Sequence, residues 1–94
     1  SDITKVIAVP CVVKSITLSL TSENTTPVLS YILLYDGATT LMEILNNGNP
    51  AYFESATTML IPLAGLRIED SFGIGVRAGS GTTVKAEGIT VLYQ

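Results

Sequence analysis

The segment Ser15-Ile16-Thr17-Leu18-Ser19-Leu20-Thr21 decides the fold of this chain. Small polar residues alternate with aliphatic ones, and a period of two places successive side chains on opposite faces of a β-strand. The pattern predicts a strand whose aliphatic face packs on a core and whose serines and threonines face water. Sheets with one wet face are typically antiparallel.

The segments that follow predict further strands separated by turns. Residues 28–35 are apolar at both parities, as expected of a strand that is covered on both faces or lies at an interface. Asp36-Gly37 then predicts a hairpin turn, because glycine adopts positive φ without steric cost. Pro62 either ends the extended segment 52–61 or places it at a sheet edge. A change of parity around Gly88 predicts a β-bulge.

Together these patterns predict an all-β protein with no helix. We expect residues 1–94 to form a single domain, an antiparallel β-sandwich of about seven or eight strands that is jelly-roll-like or closed into a small barrel. Residues 1–9 predict either a first strand or an N-terminal arm that pairs with a neighbouring subunit.

The composition predicts a surface for a protein partner. Of the 94 residues, 47% are hydrophobic and only 14% are charged. A chain of this length buries roughly 60–65% of the surface that its unfolded form exposes, so its interior is small. We therefore expect part of the apolar surface to form a contiguous patch that contacts another chain.

The charge argues against nucleic acid as a partner, and the lengths of the apolar stretches argue against a membrane span. The formal net charge is −3 and the pI is near 4.6, whereas phosphate binding depends on clustered Lys and Arg. The best apolar charge-free stretch, residues 55–66, is shorter than the about 20 residues of a membrane-spanning helix. Residues 1–20 lack the basic leader and the cleavage site of a secretory signal, so we expect no export.

No feature of the sequence predicts catalysis. The chain has no histidine, which excludes histidine-dependent triads and histidine metal sites. Its single cysteine, Cys11, lies in an apolar run without an activating base and fits a reducing compartment. The acidic residues are too dispersed for calcium, and the match of residues 73–78 to a dinucleotide-binding pattern has no helix after it. We therefore predict no catalytic residue, metal, cofactor or small-molecule substrate.

Two apolar runs are the candidate interface. The predicted contacts are the residues of one parity in segment 28–35 and three residues of the N-terminal apolar run 6–13: Leu29, Tyr31, Leu33, Tyr35, Val6, Ile7 and Val9. If the strand stripe lies outside the core, Tyr31→Asp or Leu33→Asp should block assembly and leave the fold intact. The alternative is that both faces of the strand are internal to one sandwich.

Three stretches carry a resemblance to a known group of proteins: Lys14-Ser15-Ile16-Thr17-Leu18-Ser19-Leu20-Thr21, Ile32-Leu33-Leu34-Tyr35-Asp36-Gly37, and Leu66-Arg67-Ile68-Glu69-Asp70 leading into residues 72–78. They resemble small β-sandwich virion proteins of tailed bacteriophages. In those proteins a strand with small polar residues precedes a strand that ends in Asp-Gly, and a charged turn leads to the closing hairpin.

The resemblance implies a virion structural protein that is made in the cytoplasm of the bacterial host. Its most specific form is a capsid cement (decoration) protein, a homo-oligomer that binds the major capsid protein on the outer surface of the head. A neck or tail component, or a module that binds a host glycan through tyrosines beside Asn46, Asn47 and Asn49, is the alternative. A pilus or surface-layer domain is a further alternative. The resemblance transfers no functional residue.

Overall fold

The computed structural model describes residues 3–23, 28–44, 51–52, 56–79 and 81–94. These residues form eight strands and no helix, which confirms the predicted all-β fold. The strands are β1 (Ile3–Ile7), β2 (Cys11–Thr21), β3 (Val28–Asp36), β4 (Thr39–Ile44), β5 (Ala51–Tyr52), β6 (Ala56–Ile68), β7 (Phe72–Ala78) and β8 (Lys85–Tyr93).

The strands belong to two antiparallel sheets, as in a small β-sandwich. Sheet A has the order β1-β7-β3-β4, and the short β5 also pairs with β3; sheet B has the order β6-β2-β8. Every pairing is antiparallel. Across the described residues, no helix is long and apolar enough to cross a membrane.

The core lies between the two sheets and is built by the predicted alternation. Ile16, Leu18 and Leu20 of β2 are fully buried, whereas Ser15, Thr17 and Ser19 are only half-buried. The β2 side chains pack in one cluster with residues of the facing sheet, among them Ile32 and Leu34 of β3 and Phe72 and Ile74 of β7. This burial of aliphatic and aromatic surface is the main favourable contribution to folding.

Proline 62 does not interrupt its strand. Strand β6 contains residues 56–61 of the predicted extended segment and continues through Pro62 to Ile68, whereas Tyr52 belongs to β5 and residues 53–55 lie outside the described residues. β6 is an edge strand of sheet B, where a residue without an N–H is tolerated. This agrees with the interpretation that Pro62 places the segment at a sheet edge. A shift of register opposite Lys14 accommodates Gly65, whose φ is +78°.

Two local predictions are confirmed in detail. The register of β8 against β2 shifts between the pairs Ser19–Gly88 and Leu20–Ala86, so Glu87 is the extra residue of a bulge beside Gly88. The β3–β4 connection is a tight turn in which Gly37 has φ of +62°. Both features follow from glycine at a position where the chain must bend.

The N-terminal residues form a strand within their own chain. β1 pairs with β7 along the edge of sheet A, with Thr4 opposite Ile74 and Lys5 opposite Gly73. Within the single chain, Ile3–Ile7 is thus an edge strand of sheet A.

Candidate interaction surfaces

The predicted stripe on β3 lies on the outer face of sheet A, opposite the core. Leu33 and Tyr35 keep only 5% and 7% of their surface exposed. Their β7 partners are Gly75 and Gly73, which carry no side chains and are themselves buried. The prediction that Leu33 and Tyr35 form an accessible contact stripe is therefore wrong, because each side chain is covered within its own chain. The side chain of Leu29 lies outside the described residues.

The rest of this outer face is charged. Tyr31 is half-buried, and the guanidinium carbon of Arg77 lies 5.2 Å from the centre of its ring, within cation–π range. Lys5 of β1 and Glu43 of β4 occupy positions on the same face, opposite Gly73 and Leu33. An apolar partner would have to desolvate these charges, so this face is a poor apolar docking surface.

The N-terminal run is divided between core and surface. Ile7 is 8% exposed and belongs to the core cluster, so its predicted role as an exposed contact is also wrong. Val6 is half-buried against that cluster. Of the three predicted contacts of the run, only Val9 has a largely exposed side chain, at 57%.

The described tyrosines do not form a sugar-stacking platform. Tyr35 is buried and Tyr31 is stacked with Arg77 on sheet A, whereas Tyr93 lies in sheet B. The residues proposed to flank such a platform, Asn46, Asn47 and Asn49, lie outside the described residues, as does the side chain of Tyr52.

The outer face of sheet B is uncharged over its central part. We define this charge-free face by the half-buried or exposed residues that alternate with the core residues of β2 and by their cross-strand partners. Its residues are Ser15, Thr17 and Ser19 of β2, Thr58, Leu60 and Pro62 of β6, and Gly88, Thr90 and Leu92 of β8. Leu60 and Leu92 are 68% and 63% exposed, the highest values among the large hydrophobic side chains of the described residues.

Charged residues flank the charge-free face at both ends. At one end Arg67 lies opposite Val12, with its Nε atom 3.5 Å from Oε1 of Glu69. At the other end Lys85 lies opposite Thr21, whose hydroxyl donates a 3.3 Å hydrogen bond to Glu87. An uncharged centre with a polar rim is the usual anatomy of a protein–protein interface.

A second apolar surface runs along one open side of the sandwich. There β4 and β6, the edge strands of the two sheets, leave a groove between them that we call the β4–β6 seam. The lining residues are Met42, Ile44, Met59, Leu60, Ile61, Pro62, Leu63 and Ala64. None of them is charged. On the opposite side of the sandwich, the groove between β1 and β8 includes Lys85 and Glu87.

Asp36 joins the two turns at one end of the molecule. Its carboxylate accepts hydrogen bonds from the backbone N–H groups of Glu69 and Asp70, each at 2.9 Å, and of Ser71 at 3.3 Å. The bond from Glu69 is the largest of the effects that hold the pKa of Asp36 below its ordinary value; the other two N–H donors act in the same direction, and desolvation opposes them. The N–H of Gly37 also donates to the carbonyl of Ser71 at 2.8 Å. The arrangement fixes two turns relative to each other, and the carboxylate of Asp36 is occupied by these hydrogen bonds.

The described residues contain no assembled reactive centre. No group of three or more Cys, Asp or Glu residues among them could hold a metal ion. The thiol of Cys11 is buried, and desolvation, followed by the nearby charge of Asp36, raises its pKa above the ordinary value. A raised pKa keeps the thiol protonated and weakly nucleophilic.

Sequence reasoning missed the two most exposed leucines. After Gly88, the alternation in β8 puts Ile89, Val91 and Tyr93 on one face, and this leaves Leu92 on the other. Leu60 could have been found in the same way, because Met59 and Ile61 occupy the core parity of β6. The sequence alone does not show that β6 and β8 flank the same strand, β2.

Comparisons with protein-family models, with curated proteins and with solved structures find no match for this chain.

Proposed function

We propose that this protein is a non-enzymatic structural protein that docks on a larger protein assembly, and specifically a cement protein of a bacteriophage head. The observation that carries the proposal is the charge-free face of sheet B. A hydrogen-bonded sheet with two exposed leucines and a charged rim can bury apolar surface without leaving a charge unpaired. The resemblance to phage virion proteins supplies the class of partner.

The physical demands of a cement protein agree with this surface. Such a protein is a homo-oligomer that binds the major capsid protein on the outside of the shell, so each contact is repeated by symmetry. Repetition makes many modest contacts strong together. The chain has the negative charge, −3, that disfavours binding to DNA.

The test is binding to shells of the encoding phage from which this protein is absent. We expect sedimentation with the shells to saturate at a fixed number of copies per capsomer and to raise the temperature at which the shells open. Leu92→Asp should weaken binding at least about tenfold, because it places an unpaired charge within the contact.

Val9→Asp is the matched control, since Val9 is 57% exposed but lies outside the charge-free face. If Val9→Asp loses binding and Leu92→Asp does not, the contact lies on the N-terminal run and not on the charge-free face. Binding to purified necks or tails instead of shells would favour the neck or tail alternative. Binding to none of these assemblies, or equal binding of Leu92→Asp and the unmodified protein, would contradict the proposal.

A further inference from the structure

The two open sides of the sandwich differ in the residues that line them. The groove between β1 and β8 includes Lys85 and Glu87, which solvent accommodates readily. The β4–β6 seam has no charged lining residue. The two strands of the seam carry one charged residue each, Glu43 on β4 and Arg67 on β6, but neither of them lines the groove. Because charges on an edge protect a sheet from association, the β4–β6 seam is the less protected of the two sides.

Two methionine side chains that point toward the core line this seam. Met42 lies opposite Leu34 and Met59 opposite Leu18, so both face the interior of the sandwich. No further strand of the described residues covers them, and Met42 remains 37% exposed. Leu60, which belongs to the edge of the charge-free face, also lines the seam and is 68% exposed. Among the described residues, the seam is thus a part of the apolar core that no strand covers.

We propose that a second copy of this chain covers the β4–β6 seam and forms a two-fold symmetric dimer. This inference deepens the homo-oligomer proposed above and rests on it. A two-fold contact brings each seam against the same seam of the other copy. No charged residue lines the seam, and Glu43 of β4 lies opposite Leu33 on the outer face of sheet A, so two copies of this chain with net charge −3 can join their seams without burying like charges between them.

The size of this side sets the strength of the dimer. The molecule measures 38 × 21 × 20 Å, so one long side has an area of about 800 Å², close to the roughly 800 Å² per partner of a standard interface. The seam occupies only part of that side. The contact therefore belongs with the smaller, weaker interfaces, and we expect a dissociation constant in the micromolar range, on the order of 1–100 μM.

Pro62 determines the kind of contact. Because proline has no N–H, it interrupts any continuous hydrogen-bonded extension of β6 onto a neighbouring strand. The two copies therefore meet through side chains, and two separate three-stranded sheets B remain in the dimer.

The experiment is sedimentation velocity on the full chain over a concentration series from low micromolar to several hundred micromolar. The unmodified protein should change from 9.9 kDa to twice that mass. Leu60→Asp should stay monomeric throughout, and Met42→Gln should raise the dissociation constant about tenfold or more. Leu92→Asp is the matched control: the residue type and exposure are the same, but the position is on the opposite edge of sheet B, so it should dimerise as the unmodified protein does.

Each outcome has one meaning. A protein that is monomeric at every concentration overturns the inference, and if it still binds shells the cement function survives without the dimer. A dimer that Leu92→Asp disrupts as much as Leu60→Asp shows stacking of the charge-free faces and overturns the seam. A dimer that neither Leu60→Asp nor Met42→Gln weakens also overturns it. Circular dichroism of each variant establishes that it is folded.

Discussion

Leu33 tests whether the outer face of sheet A is closed. The structure leaves 5% of this side chain exposed, although it lies outside the inter-sheet core. If it is buried in solution, Leu33→Ala must destabilise the protein as a core truncation does. Leu60→Ala is the matched control, with the same atoms removed from a side chain that is 68% exposed.

The expected free energies follow from these exposures. Leucine to alanine removes three carbons at about 0.8 kcal/mol each when they are fully buried, and a residual cavity adds to this. We expect Leu33→Ala to lower the free energy of unfolding by about 2.5–4 kcal/mol. Leu60 has about one third of its surface buried, so Leu60→Ala should cost roughly 0.8 kcal/mol. The two variants should then differ in Tm by roughly 10 °C or more.

Urea denaturation followed by circular dichroism measures both values, since the chain has no tryptophan. The protein should be kept at low micromolar concentration so that self-association does not contribute. Equal losses for Leu33→Ala and Leu60→Ala would refute the reasoning. They would mean that the face is open in solution, and the β3 stripe would again be a candidate interface.

Three further predictions concern the turns and the thiol. Asp36→Asn should lower Tm at pH 7; because the native pKa of Asp36 is lowered, the difference should vanish as pH falls below about 4 and through that native pKa, and a pH-independent difference would contradict this. Gly37→Ala and Gly81→Ala should each destabilise the protein by about 1–2 kcal/mol in urea titrations, because both glycines have positive φ. At Gly37 the added Cβ would also lie 2.7 Å from Asp70 Oδ2, and the exposed Asp70 side chain can move away from it. No measurable loss of stability at either glycine would contradict this. Cys11 should react with a thiol reagent at pH 8 far more slowly in the folded protein than in urea, and equal rates would show an accessible thiol.

The local part of the fold could be predicted from the sequence because the signals were local. The alternation around Leu18, the glycine of the β3–β4 turn and the change of parity at Gly88 each depend on a few neighbouring residues. These are conformational preferences of the backbone and of a half-buried strand. They do not depend on which strand is the neighbour.

The candidate surfaces could not be predicted because they depend on strand order. Leu33 and Leu60 are both leucines in apolar strands, yet one is buried and the other exposed. The two strands differ in position: β3 lies inside sheet A between β7 and β4, whereas β6 is an edge strand of sheet B. β7 beside β3 and β2 beside β6 are distant from those strands in the sequence, so the pattern of a single segment cannot distinguish the buried leucine from the exposed one.

The central position of β2 also orders events during synthesis. Thr17 of β2 lies between Leu60 of β6 and Thr90 of β8. Because both of these strands follow β2 in the chain, sheet B is complete only after β6 and then β8 have been synthesised. Pairings this distant along the chain form slowly, and an unpaired edge is prone to aggregation until they do. A partly synthesised chain therefore lacks Leu92 and the strand that presents it. Such a chain does not yet present the complete charge-free face.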